Sequence, residues 1–205
     1  MKYYLKQGIF PFVYLLFMSV IAFGIITING LLWLKILLAI LNVGFYSFII
    51  AFTSFKDGQE AMKVLYANDL ERMQIIRTGE NRPLKIHEEY KPWKGFVFGF
   101  TSCTPLLILL LLHTVFYLST GVTGFGVAAG IIYLMAFVFF RLDVSLSAEE
   151  AAIAPVPWYA YYGAILALPI IVLVTGIAYI LGAKKIKRQR AMIEERQRSI
   201  YGDRN

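Results

Sequence analysis

Apolar blocks of about twenty to twenty-five residues organise this chain, at 9–28, 31–53, 95–118, 121–140 and 158–182, with polar stretches between them. None of these blocks contains Asp, Glu or Arg, and 31–53 holds a lone Lys35. A hydrocarbon core of roughly 30 Å is crossed by about 20 apolar residues in a helix rising 1.5 Å per residue. In lipid the backbone must satisfy its own hydrogen bonds, which leaves helices or closed barrels. Barrel strands alternate apolar and polar positions, whereas 106–112 is continuously apolar, made of nothing but Leu and Ile. The pattern therefore predicts an all-α integral membrane protein, a single domain over 1–205 built as a bundle of four or five transmembrane helices.

The first block follows Lys2 and Lys6, as a signal peptide would, but it lacks a small-x-small cleavage site and runs straight into the second block. It reads as a retained span. Asn29-Gly30 suits a tight turn, so the first two helices should form an antiparallel hairpin.

The stretch 54–94 is polar. Asp57 and Glu60 have the spacing of a helix start, with Asp57 as N-cap, and Met62, Tyr66, Leu70, Met73 and Ile76 then share one helical face. This predicts a separate cytoplasmic amphipathic helix over 57–78, ended by Gly79 and by Asn81-Arg82-Pro83. Trp93 between Lys91 and Lys94 has the character of an interfacial anchor. At the other end, 183–205 reads as a basic helical tail. Ile186, Ile193 and Ile200 recur every seven residues, and Glu194 precedes Arg198 by four. That isoleucine stripe suits pairing with the 57–78 helix or with another protein.

Charge bears on topology. The chain carries a net charge of +7 over 205 residues, with 59% hydrophobic and 16% charged residues. Basic residues concentrate on cytoplasmic segments of membrane proteins, which accounts for the excess and sets nucleic-acid binding aside. If all the blocks cross, Lys and Arg divide almost evenly between the two sides. If 121–140 is instead re-entrant or lies in the outer leaflet, the N-terminus, the 54–94 loop and the tail share the cytoplasmic side. That side then holds 18 basic residues, against Arg141 outside and Lys35 within its span. Charge favours this four-span reading, while the apolarity of 131–140 speaks for a fifth crossing. A cell-membrane location follows from either.

Candidate chemistry is sparse. Asn42 and Tyr46 fall about 20° to either side of Lys35 on the second helix, and Ser102 and His113 lie within about 20° of each other on the third. Lys35, Asn42, Ser102 and His113 are thus a candidate intramembrane polar site, able to hold an anion or lipid phosphate if they converge. Against this, Lys35 can snorkel to the outer interface and His113 can bond a neighbouring helix. Pro105, among hydroxyl residues, predicts a kink, with Ser102 or Thr104 satisfying the backbone groups it frees. Gly126 and Gly130 have helix-packing spacing. Trp93, Lys94, Lys184, Lys185, Lys187 and Arg188 are candidate lipid-headgroup contacts. His87-Glu88-Glu89 lacks the spacing of a zinc site and reads as a solvated loop.

No catalytic residue, metal site or cofactor is expected. Cys103 lies in an apolar block, where a thiolate is disfavoured. The expectation is a non-enzymatic accessory or partner-binding subunit of a membrane assembly, its partners being the bilayer, anionic headgroups, and another membrane protein or a second copy. The alternative is a small permease or channel component for a small solute or anion.

Overall fold

The computed structural model describes residues 2–27, 32–79, 83–132 and 158–202. Every regular element among the described residues is helical: α1 (Lys2–Thr27), α2 (Leu32–Thr78), a 3₁₀ turn (Ile86–Glu88), α3 (Lys94–Thr120), α4 (Gly124–Ile132), a 3₁₀ segment (Trp158–Leu166) and α5 (Ala167–Tyr201). Four of these helices, α1, α2, α3 and α5, are long and apolar enough to cross a membrane.

The largest departure from the expected pattern is α2. Instead of a span over 31–53 and a separate helix over 57–78, one helix of 47 residues runs from Leu32 to Thr78, about 70 Å at the standard rise. Asp57 therefore caps nothing and sits in mid-helix. The reason lies in the buried stripe, which keeps one phase through the change from apolar to polar sequence: Tyr46, Ile50, Ser54, Gly58 and Ala61. A break at Ser54 would throw the second half out of register with its neighbour. Gly79 does end the helix, at φ 75°, with its amide bonded to Ile75 O (2.8 Å). That left-handed conformation costs glycine little.

Each of α1 and α5 packs against both α2 and α3. Like helices lie side by side. Gly8 of α1 abuts Thr101 and Ser102 of α3, so these two run parallel, and α2 and α5 run parallel from Phe55 beside Gly182 to Tyr66 beside Arg190. Antiparallel contacts join α1 to α2 and α3 to α5. Tyr179 sits against Gly95 and Phe98 at one end of the latter pair, and Tyr162 meets Thr114 at the other.

The core of the apolar half includes Leu15, Met18, Tyr46, Ile50, Cys103, Leu106 and Ile171. Outward, the same helices expose Phe17, Val20, Phe48, Leu111 and Leu173, an apolar outer surface far beyond what a water-soluble bundle presents.

Two smaller differences have local causes. The block expected to be helical from Trp158 opens as 3₁₀ up to Leu166. Pro169 lacks an amide hydrogen, so it is tolerated in the first turn of α5 and not deeper. Of the block 121–140, the nine residues of α4 are described and 133–140 lies outside the described residues, as does 141–157 with Arg141. Within α4, Gly126 and Gly130 are buried, Phe125 packs on Phe116 (4.9 Å between ring centres), and Ile132 O accepts from Ser19 Oγ (2.6 Å).

Candidate functional site

Two of the candidate polar residues, Asn42 and Ser102, bond the α1 backbone at different levels of the bundle. Asn42 Nδ2 donates to Met18 O (3.0 Å). Ser102 Oγ donates to Gly8 O (2.7 Å), with Phe98 O of its own helix at 2.9 Å. Both acceptors belong to α1, but ten residues separate them, about 15 Å along the axis. Tyr46 joins this set by donating to Pro11 O (3.1 Å). These side chains tie α2 and α3 to the α1 backbone. Lys35 is buried, at 3% exposed. His113 is buried between Tyr117 and Tyr162, with ring centres 5.9 and 6.0 Å away.

Pro105 lies within a continuous α3. The nearby hydroxyls bond carbonyls other than the one it frees at Thr101: Thr101 Oγ1 donates to Val97 O (2.7 Å) and Thr104 Oγ1 to Phe100 O (3.3 Å).

The densest polar network lies where the N-terminus, the second half of α2, the 83–94 segment and the tail meet, all at one end of the bundle. Lys94 is 1% exposed, and its Nζ donates to His87 O (2.6 Å) and Glu89 O (2.5 Å). This corrects its assignment to lipid headgroups. An ammonium held by two carbonyls inside the fold is not available to them. Glu89 departs from the expected solvated loop as well. It is buried, and its Oε1 accepts from Asn68 Nδ2 (2.8 Å) and Arg72 Nη2 (2.5 Å). His87 is exposed as expected. Tyr90 N donates to Ala61 O (3.1 Å), and its ring stacks on Tyr179 (5.5 Å). The segment is thus clamped onto α2, α3 and α5 together.

The helices approach closely at this junction. A Cβ on Gly58 would lie 2.0 Å from Tyr179 O, and one on Gly182 would lie 2.0 Å from Phe55 O. Sequence reasoning passed over both residues, because a glycine in a helix announces a close neighbour without naming it.

Asp57 faces a pocket of about 310 Å³ with Lys6, Gln7, Glu60 and Glu88. It lies beyond the apolar part of α2, and burial, with Glu60 adding repulsion, pushes its carboxyl up to about 6.

Past the junction, α2 and α5 project together. Arg190 stacks over the Tyr66 ring (4.1 Å), and Met62 and Tyr66 are at least partly covered, as the amphipathic face requires. The rest of that face is not covered: Leu70, Met73 (66% exposed) and Ile76 (85%) stand open, as do Met192 and Ile193 of α5. Of the tail's isoleucine stripe, Ile186 is partly covered and Ile193 is exposed. Trp93 is exposed beside the junction. Among the described residues, no three His, Cys, Asp or Glu side chains are grouped to hold a metal ion.

Comparison with protein-family models, with curated protein sequences and with solved structures returned no significant match.

Proposed function

We propose that this is a multi-pass cell-membrane protein without enzymatic activity, whose work is to present the paired α2–α5 projection to another subunit of a membrane assembly. One observation carries this reading. A helix pair stabilised by its own packing up to Tyr66 and Arg190 leaves Leu70, Met73, Ile76, Met192 and Ile193 exposed at its tip. Apolar side chains clustered on a surface outside the membrane mark a protein contact. The hydrogen bonds of Asn42, Ser102 and Tyr46 to the α1 backbone support the same reading, because they act as ties within the bundle and not as the lining of a conduit.

The topology that goes with it has four crossings, with the N-terminus, the 54–94 loop and the tail in the cytoplasm. Gly121 and Tyr162 lie at the same end of the bundle. Two flanking residues at one end argue against a single crossing by 121–140, whose residues 133–140 lie outside the described ones. A reporter fused after Asn205 is expected to signal from the cytoplasm.

The partner is tested by photo-crosslinking amino acids at Met73 and Ile193 in native membranes. Both positions should capture the same protein, and a probe at Gly24, near the other end, should not. Absence of any adduct from either position overturns the proposal.

A further inference from the structure

The basic turn of α5 is not uniform. Of the cations that follow Gly182, Lys184, Lys185 and Arg188 line a groove of about 490 Å³ together with Phe55, Leu181 and Met192, whereas Lys187 points elsewhere on the helix. Among the described residues, three cations and no acid face this space. The ion pair described on the same helix, Arg190 with Glu194 (2.9 Å), uses none of them. The wall opposite is fixed, because Gly182 packs against the Phe55 backbone and Lys185 Nζ lies 5.7 Å from the Phe55 ring.

Two exposed apolar rows run up to the groove along the bundle. Leu173, Ile177 and Leu181 follow one another at intervals of four on α5. On α2, Phe45, Phe48 and Phe52 lead to Phe55, with Phe48 and Phe52 stacked at 6.4 Å. Cations at the head of two apolar rows match an amphiphile with an anionic end, where a free phosphate would leave the rows unused.

We propose that this groove seats the headgroup of an anionic phospholipid, with Lys184, Lys185 and Arg188 on its phosphate and its acyl chains along the α5 and α2 rows. The proposal rests on the membrane reading above. It narrows the lipid contacts expected from sequence to three residues, leaving out Trp93, Lys94 and Lys187.

The test uses the full chain in neutral detergent, incubated with mixed micelles of phosphatidylglycerol and phosphatidylcholine, with bound lipids counted by native mass spectrometry. The wild type should retain phosphatidylglycerol in preference. Lys184→Gln/Lys185→Gln/Arg188→Gln should reduce that preference by about tenfold or more, given the contribution of each cation near an anionic headgroup. Lys187→Gln/Arg196→Gln/Arg198→Gln removes the same charge from outside the groove and should leave the preference in place, as should Lys184→Arg/Lys185→Arg. Equal losses in the two triple variants overturn the proposal, as does a wild type that does not discriminate. Displacement by inorganic phosphate assigns the groove to a soluble anion and also overturns it. Carbonate washing of native membranes separates the two readings. Release of the chain defeats the membrane reading itself, whereas retention without lipid preference defeats the groove alone.

Discussion

The two ends of α2 follow different rules. Between Leu32 and Thr53 the helix exposes Phe48, Phe52 and Leu41 on its outer face, and its buried Asn42 and Tyr46 reach for backbone carbonyls of α1. Beyond Ser54 the same helix carries charged side chains outward, and its buried groups meet partners on α5 and in the 83–94 segment. The first half is held by neutral hydrogen bonds and apolar fit, the second by close backbone approach and a buried charged network. One continuous helix therefore couples a bundle suited to lipid with a projection suited to water, and the junction at Gly58 carries that coupling.

Several substitutions would break or sharpen this contrast. The largest effect should come from Gly58→Val, because its side chain would collide with the Tyr179 backbone, which cannot yield as a flexible side chain would. A loss of about 3 kcal/mol, the upper end of the usual cost of overpacking, should appear as a lower unfolding temperature in detergent. Gly24→Val, where a Cβ meets nothing within 4 Å, should change little by the same measurement.

Next, Lys94→Ala strips the ammonium from His87 O and Glu89 O. Leaving buried carbonyls without a donor costs about 2 kcal/mol. Hydrogen exchange at Tyr90, whose amide holds the segment to Ala61, should quicken, while exchange in the apolar half of α2 should not.

A smaller change concerns pH. Asp57 has its carboxyl raised from 3.8 to about 6, chiefly by burial. A raised carboxyl favours the folded state while protonated, so its contribution is complete below pH 3.8 and is lost as pH rises through about 6. Asp57→Asn should flatten the decline in melting temperature between those values, and should raise stability at neutral pH by about 1 kcal/mol. An unchanged pH profile would show that Asp57 is not desolvated at the junction.

The smallest effect is expected from Tyr46→Phe, which removes one hydrogen bond to Pro11 O inside the apolar half. Interhelical bonds of this kind contribute about 0.6 kcal/mol. A loss several times larger would mean that the apolar half depends on its polar ties as strongly as the junction does on Lys94.

Part of the candidate site was legible in the residues themselves. Gly79 as a helix end, Met62 and Tyr66 on a covered face, and the inward stripe of Lys35, Asn42 and Tyr46 all follow from period and residue type. The polar residues between Ser54 and Glu60 pointed the wrong way. A serine and an aspartate before a helical run carry the same local signal whether they begin a helix or lie within one. What decides is a neighbour more than a hundred residues along the chain, and α5 supplies it at Tyr179 and Gly182. The roles of Lys94 and Lys184 were illegible for a similar reason. Both are lysines near the end of an apolar block, yet one is enclosed by the 83–94 segment and the other opens onto a groove.

By itself, the sequence determined that the chain is helical and carries stretches apolar enough to cross a membrane, four or five in number, because hydropathy and period are summed residue by residue over about twenty positions. Only the tertiary structure decided that α2 continues past its apolar half, that α2 and α5 project as a parallel pair, and which lysines are enclosed. Those outcomes depend on contacts between residues far apart in the chain, whose free energy no local window contains.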